Sequence, residues 1–207
     1  VRDNLAASLL GKVCAQLALL DLDGALAASK RAYDLARGLE NPVLVRNVDF
    51  ARAHALLESG HLREADAIAA ELRPASDSAD DELPRLRALL ALAHGDAGAA
   101  LATLNDLLDH NAVPAPSLLP MFVSAALRSG DTAAARRMLE RSRPASEAGE
   151  TFAIELARGE YAAATGDHQG AALHLRNAVA RASERGVPAE RAQAGCAYAR
   201  LLIVAGQ

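Results

Sequence analysis

The sequence predicts an all-α protein: a right-handed α-solenoid of about five helical hairpins plus a terminal helix. Three observations lead there. The 207 residues include 50 Ala and 33 Leu but six aromatic side chains and no Trp. Alanine has the highest helix propensity and lets helix axes approach closely, whereas the β-branched and aromatic strand formers are scarce. A short Gly-Asp punctuation recurs along the chain, and apolar residues with helical spacing lie on both sides of each copy.

The punctuation follows the pattern Gly-Asp-x-x-x-Ala. It reads Gly60-His61-Leu62-Arg63-Glu64-Ala65, Gly95-Asp96-Ala97-Gly98-Ala99-Ala100, Gly130-Asp131-Thr132-Ala133-Ala134-Ala135 and Gly166-Asp167-His168-Gln169-Gly170-Ala171. A degenerate copy, Leu20-Asp21-Leu22-Asp23-Gly24-Ala25, precedes them, and Gly206-Gln207 stands where a sixth would begin. The anchors are 40, 35, 35, 36 and 40 residues apart. Arg73-Pro74-Ala75-Ser76 also recurs as Arg143-Pro144-Ala145-Ser146, offset by 70 residues, or two periods of 35. Glycine tolerates the positive φ that ends one helix and reverses the chain. Aspartate accepts from the free N–H groups of the next helix and suits its positive end. An Ala five residues after the Gly fits where two helices cross.

The elements follow in order. The first hairpin covers 3–38, with helices over 3–20 and 23–38 around Asp21, and Gly38 to Pro42 break the chain after it. The second covers 43–73, helices 43–59 and 62–73, with Ala53, Leu56 and Leu57 leading into Gly60. The third covers 81–109, helices 81–94 and 97–109. Leu86, Leu89, Leu90 and Ala93 precede its turn, and Ala100, Leu101, Leu104, Leu107 and Leu108 follow. The fourth covers 116–142 (116–129 and 132–142), and the fifth 148–185 (148–165 and 168–185). Breakers separate them at Pro74 to Asp81, Asn111 to Pro116, Pro144 to Gly149 and Gly186 to Pro188. None of these is a flexible interdomain linker, so one repeat domain over 1–207 is expected. The acidic stretch Pro74–Pro84 reads as a solvated loop. The terminal helix, 188–205, is apolar on several sides (Ala197, Tyr198, Leu201, Leu202, Ile203, Val204). A terminal repeat normally carries a polar cap, so this surface is expected to pack on further sequence or on a second copy of the chain.

With these anchors the chain resembles the tetratricopeptide repeat family. The small residue five after the turn is matched at Ala25, Ala65, Ala100, Ala135 and Ala171. One seven before it is matched at Ala53, Ala88, Gly159 and Ala199, with Val13 and Val123 elsewhere. An Ala twelve after it is matched at Ala32 and Ala178, replaced by Leu72, Leu107 and Ser142 in between. The family's Trp is absent and its terminal Pro displaced or missing. The resemblance spans nearly the whole chain. The 40-residue intervals and the phrase Ala182-Ser183-Glu184-Arg185-Gly186-Val187-Pro188-Ala189-Glu190-Arg191-Ala192 are similar to the repeat regions of bacterial LuxR-type regulators and transcriptional activator domains. The chain carries neither a GxxxxGK[ST] loop nor a helix-turn-helix pattern.

Charge and composition exclude several roles. Twenty-two basic against 26 acidic residues give a net charge of −4 and no general reason to contact nucleic acid or an anionic membrane. Apolar stretches are interrupted by charge within about ten residues, too short for membrane insertion. The chain begins with Val and shows no signal segment. It reads as a piece of a larger protein in the cytoplasm, with the periplasm as the alternative if a leader has been removed. Cys14 and Cys196, on first helices of hairpins, read as buried structural thiols rather than a disulfide or zinc site. The histidines His54, His61, His94, His110, His168 and His174 lack metal-ligand spacing, and no serine sits in a nucleophile motif. No catalytic residue, metal or cofactor is expected.

The resemblance implies instead a concave groove lined by the first helix of each pair, at positions about ten, six and two to three residues before each turn. In this sequence those positions give Phe50, His54, Leu57 and Glu58, then Arg85 and Leu89, Ser124 and Arg128, Glu160, and Cys196 and Arg200. Asn47 and Gln193 stand one turn earlier. The recurring Arg85, Arg128 and Arg200 suit a carboxylate-bearing peptide or a small anion, since guanidinium groups hold such ligands bidentately. The expected role is a non-enzymatic scaffold binding a protein or peptide in the groove. The alternative is a ligand-sensing or oligomerisation segment of a bacterial transcription regulator.

Overall fold

The structure, a computed structural model, describes residues 2–38, 41–72, 82–110, 116–142 and 151–204. Among them are α1 (Arg2–Ala18), α2 (Leu22–Ala36), α3 (Pro42–Glu58), α4 (Leu62–Glu71), α5 (Glu82–Ala93) and α6 (Ala97–His110). A 3₁₀ turn (Pro116–Leu118) leads into α7 (Leu119–Arg128), followed by α8 (Thr132–Arg141), α9 (Phe152–Ala164), α10 (His168–Arg185) and α11 (Pro188–Val204). No strand occurs among the described residues. The two Arg-Pro-Ala-Ser copies, the acidic loop up to Asp81 and the closing Gly206 lie outside them.

The chain divides into two compact units, residues 1–94 and 95–207. In the first, α1, α3 and α5 are successive neighbours, α2 packs on α1 and α3, and α4 on α3 and α5. Its interior runs from Ala6, Leu9, Ala36 and Val48 through Val13, Ala25 and Ala55 to Phe50, Leu56, Leu83 and Leu86. In the second, α7, α9 and α11 are successive neighbours, α6 packs on α7, α8 on α7 and α9, and α10 on α9 and α11. Phe152, Leu156, Ala171, Leu175, Ala178, Ala194 and Leu201 form its largest described core. The hairpin expected over 81–109 supplies the last helix of the first unit and the first helix of the second.

The repeated turn is the same device four times over. Gly60, Gly130 and Gly166 have φ of 79°, 85° and 83°, and Leu20 takes the glycine's place in the degenerate copy with φ 62°. In each, the next residue's N–H donates to a carbonyl five residues back: Asp21 to Gln16, His61 to Leu56, Asp131 to Ala126 and Asp167 to Ala162, at 2.8–2.9 Å. That bond, with the neighbouring i→i−3 bond, closes a Schellman motif over the preceding helix. Gly95 shares the left-handed conformation, with φ 85°. The aspartate then caps the next helix. Asp21, Asp96, Asp131 and Asp167 accept from the backbone N–H three residues on at 2.8–3.0 Å, whereas His61 makes no side-chain cap.

The helix crossings explain the small residues. Ala25, Ala65, Ala100, Ala135 and Ala171 are all 0 % exposed, as are Val13, Ala53, Ala88 and Val123 seven before the turns. At Gly159 a Cβ would come within 2.6 Å of the buried Leu175 side chain and 3.2 Å of its backbone N, so glycine is what lets α9 and α10 approach. Ala199, the equivalent position in α11, is exposed.

Three expectations need correction. The helix expected from 116 starts as a 3₁₀ turn, because Pro120 has no N–H to donate to the carbonyl of residue 116. Cys14 and Cys196 are exposed rather than buried, since each points away from the seam its helix makes with its neighbours. The apolar surface of α11 is smaller than its composition suggests. Ala194 and Leu201 are buried, Ala197 and Tyr198 pack partly on the core, and the exposure concentrates at Ile203 (76 %) and Val204 (75 %).

Candidate functional site

Side chains of the first helices sort by register. At about 100° per residue, the position ten before a turn lies about 60° from the sealed position seven before it, and six before lies about 100° away. Ten-before is therefore largely interior. Phe50 is 8 % exposed and packs in the core with Leu83, Leu86 and Leu90, with the Arg46 guanidinium 4.8 Å from its ring centroid. This corrects the expectation that Phe50 presents its ring to a ligand. Leu156 is likewise sealed, while Arg85 and Cys196 reach the surface at this register. Six-before is the half-buried border of the face, occupied by His54, Leu89, Ser124 and Glu160, with Arg200 exposed at the end of the series. Two-before is open, at Glu58 and Arg128.

In the first unit, His54 sits over the α3–α5 seam with its Nδ1 sealed from solvent, 4.0 Å from Glu58 Oε1 and without a hydrogen-bond partner. Burial pushes its pKa below the ordinary histidine value and the Arg85 charge reinforces this, against the opposing pull of Glu58 and Glu82. The ring is therefore a neutral donor or acceptor at neutral pH. Asn47, one turn earlier, is exposed. Asp66 and His94 tie α4 to the end of α5 at 2.7 Å.

In the second unit, Ser124 is half-buried and Arg128 exposed on α7, and Gln193 is exposed on α11. Glu160 of α9 is half-buried, and burial pushes its carboxyl up to about 7, opposed by the charge of Arg200 on α11. No hydrogen bond or ion pair of Glu160 forms among the described residues.

The structure also joins residues that the sequence gave no reason to pair. Glu155, 1 % exposed, accepts from His174 Nδ1 at 2.9 Å and Asn177 Nδ2 at 3.3 Å, with Arg158 Nη1 4.0 Å from its other oxygen. The signal available was a lone acid inside the apolar run Phe152 to Ala157. Its partners lie 19 and 22 residues further on, across a helix turn. In the first unit, Arg37 and Arg52 both stack on Tyr33, at 5.5 and 4.5 Å. Among the described residues no three His, Cys, Asp or Glu side chains are placed to hold a metal ion, and no helix is long and apolar enough to cross a membrane.

Paired helices, left-handed glycine turns and sealed small residues at the crossings together match a known arrangement. The fold is similar to that of the crystal structure of a tetratricopeptide repeat protein from Parabacteroides merdae ATCC 43184, with a TM-score of 0.58 over 98 % of this chain and 74 % of that one. The chain has a tetratricopeptide-like fold. Sequence identity to that protein is 16 %, so the likeness is one of fold. No protein-family model matches the chain, and no curated protein matches it. The resemblance to LuxR-type regulators is not reflected in these comparisons. In the tetratricopeptide-like frame, α1, α3, α5, α7, α9 and α11 are the first helices of their pairs, and they carry each of the expected groove residues.

Proposed function

We propose that the chain is a non-enzymatic scaffold that binds a protein or peptide segment on the faces formed by its first helices. One observation carries this reading. On those helices, one register is sealed by small residues while the next holds half-buried polar groups (His54, Ser124 and Glu160), and the solvent-sealed His54 Nδ1 has no hydrogen-bond partner. Buried polar atoms are ordinarily hydrogen-bonded, and polar groups at this register on the first helices of each unit suit an arriving peptide. Arg85, Arg128 and Arg200 border the same faces and favour carboxylates in the partner. The test is selection from a displayed random dodecapeptide library. The reading predicts enrichment of peptides with a common pattern whose binding falls about tenfold or more in His54→Ala or Glu160→Leu. A library that yields no binder, or binders indifferent to every first-helix substitution, overturns it.

A further inference from the structure

Glu160 and Arg200 hold the same register on neighbouring first helices, six residues before Gly166 and Gly206 in the sequence. Helices α9 and α11 pack together, and Arg200 is close enough for its charge to act on the Glu160 carboxyl. Yet neither side chain has a hydrogen bond or ion pair with any other described residue. Burial of the Glu160 carboxyl is costly, and a complementary hydrogen-bonding group offsets that cost. A guanidinium only donates, and above pH 7, where Glu160 is mostly ionised, its carboxylate only accepts. The two therefore offer a donor and an acceptor of opposite charge at one register of neighbouring helices.

A planar amide answers both: its carbonyl accepts from Arg200 while its N–H donates to Glu160. A ligand carboxylate would meet repulsion from Glu160, and a ligand ammonium would meet it from Arg200. We propose that Glu160 and Arg200 form an amide-recognition subsite, taking either a glutamine or asparagine carboxamide or a main-chain amide of the bound peptide. The inference rests on the first-helix face being a peptide-binding surface. Burial at Glu160 supports it, because a hydrogen bond made in a poorly hydrated site is stronger than one made in water. Ser124, at the same register on α7, extends the row of small polar groups along the second unit.

The test uses three capped hexapeptides titrated at pH 8 into the isotopically labelled 207-residue chain and followed by backbone amide shifts. One alternates serine with glutamine, one is all serine, and one alternates serine with glutamate. The glutamine peptide is expected to shift the amides around Glu160 and Arg200 and to bind about fivefold or more weakly to Glu160→Leu and to Arg200→Leu. Where the carboxamide is recognised, the glutamate peptide is expected to bind the unaltered chain more weakly than the glutamine one by a similar factor. If the all-serine peptide matches the glutamine peptide, the main chain is the recognised amide; if it fails to bind, the carboxamide is. The subsite is overturned if no peptide shifts those amides, if the glutamate peptide binds as well as the glutamine one while the all-serine peptide does not bind, or if both variants bind like the unaltered chain. Where library-selected peptides still bind a first-helix face, such a result removes only the subsite. Where no peptide of any origin binds, the scaffold reading falls with it.

Discussion

Glu160 keeps its carboxyl half-buried on α9 at the expense of stability. Its ordinary value of 4.5 is raised to about 7 by burial, so between those values the folded chain binds a proton that the unfolded chain has released. The contribution of this group is complete below about pH 4.5 and is lost as pH rises through 7, by an amount on the order of 2–3 kcal/mol. Glu160→Gln, which has the same shape and no charge, is therefore expected to be more stable than the unaltered chain at pH 8 by on the order of 1–3 kcal/mol. At pH 4 the two should agree within a few tenths. Urea unfolding of both proteins at pH 4, 6 and 8 checks this, and a pH-independent difference would remove the linkage. Gly159 is a second single-residue determinant. Because a Cβ there would fall 2.6 Å from Leu175, Gly159→Ala should destabilise by about 1–3 kcal/mol, despite alanine's better helix propensity. A thermal midpoint at or above that of the unaltered chain would show that α9 and α10 can separate without cost.

The helix–turn–helix element depends on one left-handed residue and one aspartate cap. Leu20 does with a side chain what Gly60, Gly130 and Gly166 do without one. A left-handed conformation costs an ordinary residue about 1–2 kcal/mol, and Leu20 is 48 % exposed, so little burial is lost with its side chain. Leu20→Gly is expected to stabilise the protein by about 0.5–1 kcal/mol, while Gly130→Ala destabilises it by about 1 kcal/mol. Opposite signs in paired denaturant titrations confirm the shared turn; the same sign in both contradicts it. This element is also where the sequence was most legible. Glycine and aspartate have few other reasons to recur at a fixed interval before a small residue, so turn, cap and crossing could all be read from one pattern. Helix ends shifted by two residues at several places, the start expected at 148 lies outside the described residues, and at Pro120 local chemistry overrode the pattern. The side chains of the face were harder to read. Phe50 and His54 differ by four residues and look like one stripe, yet the first falls within the core and the second on its border, because burial follows the angle to the neighbouring helices. The Glu155–His174–Asn177 cluster was invisible for a related reason. A polar residue in an apolar run announces its partner only when two helices are already placed side by side.

At the scale of the molecule, the two units repeat one arrangement: first helices side by side, second helices packed into the seams, and small residues sealing each crossing. Such a construction derives its stability from neighbouring helices and leaves the first-helix surface free to vary. That surface holds the half-buried polar groups His54, Ser124 and Glu160, and partner binding is proposed there. The most direct test takes a peptide selected from the displayed library and maps its footprint on the whole chain by hydrogen exchange. The account predicts slowed exchange in first helices, among α3, α5, α7, α9 and α11, with α2, α4, α8 and α10 unchanged. Protection concentrated on α2, α4, α8 or α10, with the first helices unaffected, would contradict it.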